Sequence, residues 1–137
     1  MIGKLKQKLS ALVATDTRLA LVLGLAALAV YTLSLCPSSY EGDSGELLAA
    51  AATLGVAHPT GFPLYLLLGK LFTWLIPFGE VGARINFVSA VAAAGTVAVV
   101  FMTARCLGIA RWASVGASLA LIFADTFWGH ATVARVY

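Results

Sequence analysis

The chain has 137 residues, 61% of them hydrophobic and 11% charged, with a mean hydropathy of +0.94 and a formal net charge of +3. A soluble domain carries nearer ~25% charged residues, so the composition excludes an ordinary soluble fold and points to an all-α integral membrane protein. The basic residues are spread along the chain rather than gathered on one face, so they report membrane topology and no nucleic-acid partner is expected.

In chain order, Met1 to Arg18 is a basic segment, with Lys4, Lys6, Lys8 and Arg18 against the single acid Asp16. Leu5, Leu9, Leu12 and Val13 recur at helical spacing, which predicts a short amphipathic helix lying on the membrane surface. A secretory signal peptide is the competing reading, but the apolar run that follows is long and no small-x-small cleavage site closes it. That run, Leu19 to Leu35, has about 17 uncharged residues, the lower limit for a spanning helix, and Pro37 stops it. Basic residues ahead of the run place the N-terminus in the cytoplasm and the next loop on the outer side.

The loop from Tyr40 to Pro63 concentrates the polar chemistry, with Glu41, Asp43, Glu46 and His58 between apolar segments. Asp43 followed by Glu46 has the spacing of a helix capping box, with Gly55 as the stop of the alanine-rich helix. The competing reading has Asp43 facing a cleft as a base for an acceptor hydroxyl. His58-Pro59 and Gly61-Phe62-Pro63 form a rigid turn. A carboxylate–histidine metal site from Asp43, Glu46 and His58 has no recognised ligand spacing, so no metal ligand is assigned.

Phe62 to Ile76 is apolar but short, and carries Lys70 in its middle. If it spanned, Arg105 and Arg111 would fall outside. If it lies in the outer interface, both arginines return to the cytoplasm, and Asp125 joins Glu41, Asp43, Glu46 and Glu80 outside. The second arrangement is expected: spans at about 19–35, 83–106 and 109–124, with two outer juxtamembrane helices within 37–80. Small residues at intervals of four, Ala90-Ala94-Ala98 and Gly116-Ala120-Ala124, permit close helix contact in lipid or simply reflect abundant alanine. Cys36 and Cys106 fall at opposite ends of their spans, beyond disulfide reach. Arg84 at the outer mouth of the second span reads as an interfacial anchor or as a cation for a lipid phosphate, and Lys70 is a second candidate for that phosphate. The sequence stops abruptly after an apolar segment, which suggests the N-terminal piece of a longer protein.

Residues Gly42-Asp43-Ser44-Gly45-Glu46, then Leu54 to Tyr65 with its His58-Pro59 turn, and Arg84-Ile85-Asn86 with Ser89, together resemble the GT-C superfamily of membrane glycosyltransferases. The branch they resemble includes protein O-mannosyltransferases of the plexin-modifying type. The resemblance implies the N-terminal part of a GT-C fold and transfer of a sugar, with mannose as candidate, from a polyprenyl-phosphate donor to a hydroxyl on a protein or glycan acceptor. It implies that Asp43 is the catalytic base, with Glu46 as a second acid, and that His58 and Arg84 sit near the donor phosphate. No cofactor is required by it; a divalent metal stays open, and the lipid-linked sugar is substrate. It places the chain in a bacterial inner membrane or, in a eukaryote, the endoplasmic reticulum. One departure stands out: this branch often has an acid where the stretch Val133 to Tyr137 has Arg135. The alternative function is a transporter or channel subunit in which Asp43, His58 and Lys70 line a polar path.

Overall fold

The computed structural model describes residues 2–136, with side chains from Val13 onward. Every regular element among them is an α-helix: α1 (Ile2–Leu33), α2 (Ser44–Thr53), α3 (Pro63–Leu75), α4 (Val81–Cys106), α5 (Arg111–Ile122) and α6 (Asp125–Ala131). Val13–Leu33 of α1 and the whole of α4 are long and apolar enough to cross a membrane. At 1.5 Å per residue they reach about 32 Å and 39 Å, against a hydrocarbon core of about 30 Å.

The N-terminal segment departs from expectation. Instead of a separate surface helix, it is the first part of α1, which runs unbroken through Arg18. Between Ile2 and Leu33 the chain has no proline, so nothing removes a backbone donor or forces a kink. The stripe formed by Leu5, Leu9 and Leu12 lies outside the residues whose side chains are described. The segment expected to span at 109–124 is also shorter than that range. Helix α5 has 12 residues, about 18 Å, and the chain breaks at Phe123-Ala124 before α6 begins.

Ion pairs and hydrogen bonds fix how the helices run. Asp16 of α1 accepts from Arg105 Nε at the end of α4 and from Arg111 Nε at the start of α5, both at 2.9 Å. Fifteen residues further along α1, the Tyr31 hydroxyl donates to the Ile122 carbonyl at the end of α5. Helix α4 is therefore antiparallel to α1, and α5 runs parallel to it from the level of Asp16 to that of Tyr31. At the Tyr31 end, the buried Asn86 of α4 donates from Nδ2 to the carbonyls of Cys36 (2.7 Å) and Ser38 (3.1 Å). Its Oδ1 accepts the Ala134 N–H at 2.8 Å. The segment between α1 and α4, with α2 and α3 in it, thus leaves and rejoins the bundle at the same end. Cys36 and Cys106 lie at opposite ends and are both free thiols.

Two apolar cores follow. One joins α1, α4, α5 and α6 around the fully buried Tyr31, Val97 and Phe101, with Phe127 and Trp128 edge-on to the Tyr31 ring. Here the small residues of α4 are used. A Cβ on Gly24 of α1 would stand 3.3 Å from the Ala94 carbonyl oxygen and 3.4 Å from Ala98 Cβ, so the two backbones approach closely. The second set is not used in this way. Gly116 and Ala120 are exposed, and α5 instead buries the serines Ser114 and Ser118. The other core packs α2 and α3 over the first half of α4 through Leu47, Ala51, Leu66 and Ile85. Gly69 sits at their meeting point, where an added Cβ would come 3.0 Å from both Ala51 Cβ and Ile85 Cγ2.

Gly69→Val should therefore destabilise the chain by about 1–3 kcal/mol through overpacking. Asn86→Ala should cost about 1–3 kcal/mol for each main-chain group left unpaired. Gly95→Ala, which meets only open space, should be neutral or slightly stabilising. Thermal unfolding in detergent followed by circular dichroism ranks the three, and equal midpoints for Asn86→Ala and Gly95→Ala would contradict this account.

Candidate functional site

Helix α2 opens from a turn that brings Asp43 onto helical backbone angles (φ −75°, ψ −3°), and its side chain makes no cap hydrogen bond. The capping box expected from the sequence does not form, because an N-cap side chain reaches the N2 or N3 amide from an extended backbone. Ser44 ties the turn instead, its Oγ accepting the Tyr40 N–H at 3.0 Å. Helix α2 ends on Leu54 in the left-handed conformation (φ 57°), one residue before the expected glycine stop, and the Gly55 N–H closes on the Ala50 carbonyl.

The chain then turns back toward the start of α2. Ala57 is buried in the second core, and the Gly61 N–H bonds the His58 carbonyl at 2.7 Å across the tight turn. Gly61 supplies the positive φ of 82° that this turn needs. The Phe62 ring packs edge-on to the His58 imidazole, with centroids 5.3 Å apart. The result brings three predicted residues together. Glu46 Oε1 accepts the His58 backbone N–H at 2.6 Å, and Glu46 Oε2 lies 3.0 Å from His58 Nδ1. On the other side of the ring, His58 Nε2 lies 3.8 Å from Asp43 Oδ2. All three side chains are between one-third and one-half exposed, open to solvent on one face.

This geometry has chemical content. A carboxylate beside Nδ1 favours the Nδ1–H tautomer whenever the ring is neutral. Glu46 grips both main chain and ring, so the imidazole cannot turn away without breaking its charge-assisted bond while the main chain stays held. The trio does not make a metal cradle, since Glu46 already uses both oxygens on His58. Among the described residues no group of three or more His, Cys, Asp or Glu side chains is arranged to hold a metal ion.

The two other predicted cations lie elsewhere. The Arg84 guanidinium donates to the carbonyls of Phe78, Gly79 and Thr73, fastening the α3–α4 turn. Lys70 donates to the Ala52 carbonyl in the last turn of α2 and lies 5.8 Å from the Trp74 ring centroid. That position suits a cation at a helix C-terminus.

The family model described as the protein O-mannosyl-transferase TMEM260 N-terminal domain matches residues 43–137. The chain belongs to this family. Its match begins at Asp43 and takes in the whole acid–histidine cluster. Among curated relatives, the protein O-mannosyl-transferase TMEM260 of Mus musculus is 38% identical over 109 residues, covering 80% of this chain and 16% of the relative. The corresponding protein of Dictyostelium discoideum is 28% identical over 110 residues, covering 79% of this chain and 13% of the relative. The chain thus spans about one-sixth or less of the length of these relatives. No solved structure matches it.

Within this TMEM260-family chain, sequence reasoning gave too little weight to two residues. Asn86 was visible as an amide in a long apolar helix, which in itself signals a buried partner. His130 lies at the end where α1 meets α6, and its Nδ1 is buried with no hydrogen-bond partner. The periodicity of so short a helix as α6 gives no sign of this. Tyr65, whose hydroxyl lies 3.2 Å from Ser89 Oγ, is half-buried; desolvation pushes its pKa above the ordinary value and the Ser89 hydrogen bond opposes that shift.

Nitrogen-15 NMR of the imidazole should find neutral His58 protonated on Nδ1. Glu46→Ala should restore the mixture of tautomers seen in a free imidazole, and an unchanged spectrum would contradict the Glu46–His58 bond.

Proposed function

We propose that this chain supplies the N-terminal, membrane-embedded part of a GT-C-type protein O-mannosyltransferase. The enzyme moves a mannosyl residue from a polyprenyl-phosphate donor to a protein hydroxyl at the outer membrane face. The observation that carries this reading is the placing of Asp43 beside the Glu46–His58 pair, at the start of the stretch matched by the family model. Asp43 takes the proton of the acceptor hydroxyl as its oxygen attacks the anomeric carbon. The bond from that carbon to the phosphate oxygen breaks, its electron pair leaves with the phosphate, and the anomeric configuration inverts. Glu46 and His58 hold Asp43's surroundings fixed rather than touching the sugar. Arg84 and Lys70, engaged with main-chain carbonyls, serve the scaffold.

The proposed topology has three crossings, α1, α4 and α5, with α2 and α3 lying at the outer face. Helix α5 is short, but its two ends meet α1 at Asp16 and Tyr31, fifteen residues or about 22 Å apart along α1. Arg105 and Arg111 then share the cytoplasmic side with the basic N-terminus, as the positive-inside rule favours.

In a chimera that carries this chain in place of the matching segment of the mouse relative, Asp43→Asn should lower mannosyl transfer by roughly 10²–10⁴-fold, the usual scale for a lost general base. Membrane insertion and helix content should stay unchanged. Transfer at the wild-type rate would remove Asp43 from this role. For topology, an impermeant maleimide applied to the outer side should label a cysteine placed at the exposed Phe78 and spare Cys106. Labelling of both, or of Cys106 alone, would overturn the three-crossing arrangement.

A further inference from the structure

The acid–histidine cluster holds one side-chain type whose charge changes in a range where the charges of its neighbours do not. Imidazole gains a proton between about pH 8 and about pH 5, whereas carboxylates in general stay ionised down to about pH 4. From α2 the groups facing His58 are Glu46 and Asp43; from the start of α3 it is the Phe62 ring, which carries no charge. Glu46 fixes the histidine, accepting its backbone N–H at 2.6 Å and standing 3.0 Å from Nδ1. The gap is on the other side of the ring. There Nε2 and Asp43 Oδ2 are 3.8 Å apart, beyond the ~3.2 Å reach of a hydrogen bond.

In a neutral ring with its proton on Nδ1, Nε2 and an ionised carboxylate are both acceptors and have no hydrogen to share. A proton added to Nε2 turns the same two atoms into a charge-assisted donor and acceptor. Asp43 makes no cap hydrogen bond to the amides of α2, and its side chain is 42% exposed, so it has room to close the gap. His58 lacks that freedom, because Glu46 holds its main chain and its ring together.

We infer that His58 is a proton-operated latch on Asp43. With the imidazole neutral, the Asp43 carboxylate is open to an incoming hydroxyl. With the imidazole protonated from solvent, Nε2 donates to Oδ2 and draws the carboxylate onto the ring. There Asp43 is a weaker base, since a cation beside it favours its ionised form and one of its oxygens is occupied. Sugar transfer therefore falls as pH falls through the imidazole range. His58 is a positioning residue that acts on the reaction through Asp43. What Asp43 does to substrate rests on the transferase reading above; the latch itself rests on the three side chains.

The test is the pH profile of mannosyl transfer by the mouse chimera, beside carbon-13 NMR of its aspartate carboxyls in nanodiscs. In the parent, transfer at about pH 5.5 should be roughly three- to tenfold below that at about pH 8. His58→Asn keeps an amide donor where Nδ1 stands but cannot take up a proton. Whatever its rate at the higher pH, its ratio of the two rates should flatten, and His58→Gln should behave alike. A histidine that only supports the fold would lower both rates and keep the parental ratio. Glu80→Gln, at the far end of α3, should keep that ratio too. The Asp43 carboxyl signal, assigned by its absence from Asp43→Asn, should step within the imidazole range and lose that step in His58→Asn. A parental ratio in both histidine variants, or a carboxyl signal without a His58-dependent step, would overturn the latch. Asp43→Asn keeps the two claims apart. Wild-type transfer in that variant, with the step present in the parent, defeats the transferase reading and spares the latch. Lost transfer in that variant, with no His58-dependent step in the parent, does the reverse.

Discussion

The architecture depends on one amide. Asn86 stands in the middle of apolar surroundings, where an amide without partners would cost several kcal/mol. It is fully buried, and its bonds to Cys36, Ser38 and Ala134 join α4 to the chain just after α1 and to the chain just after α6. Those three partners are main-chain groups, so the contact is insensitive to which side chains flank it but strict about backbone position. The close approach is matched at Gly82, where a Cβ would come 3.0 Å from both the Pro37 carbonyl oxygen and Ser38 Cα. With both segments tied to α4 at one level, the loop carrying α2 and α3 can only fold back over the same end.

That folding-back is what assembles the acid–histidine cluster. Asp43 and Glu46 lie at the start of α2, and His58 follows its end, twelve residues beyond Glu46. They meet because the second core buries Ala57 and seats α2 on α3 through Gly69. Packing of small apolar residues thus sets the distance between polar ones. One face of the cluster stays open to solvent.

Much of this was legible in the sequence. Charge placement alone argued that the Phe62–Ile76 run stays at one end of the bundle, and the Asp16–Arg105–Arg111 pairing bears out the antiparallel course that argument needs. The all-helical class and the two long apolar helices were equally plain. What pattern could not supply was the choice among partners. Asp43 and Glu46 fit a capping box by spacing, yet Glu46 turns to a histidine that is near only in three dimensions. Arg84 and Lys70 had the chemistry of phosphate ligands, but unpaired carbonyls at helix ends compete for the same donors, and which wins depends on the fold. The small-residue stripe of α4 packs on α1, whereas α5 presents its serines because both of its ends are held against α1. The sequence reading places a boundary at Arg18, between a surface helix and the first span, whereas α1 runs through that point unbroken.

The pairing of one carboxylate with two guanidinium groups at the far end of the bundle makes the three helices unequal in their tolerance of change. Either arginine can be lost and Asp16 still has a cationic partner, so each is partly redundant with the other. Loss of the acid has no such reserve, because it leaves two like charges facing each other across a junction of three helices. Natural variation at this end should therefore be lopsided, with drift at positions 105 and 111 one at a time and constraint at position 16.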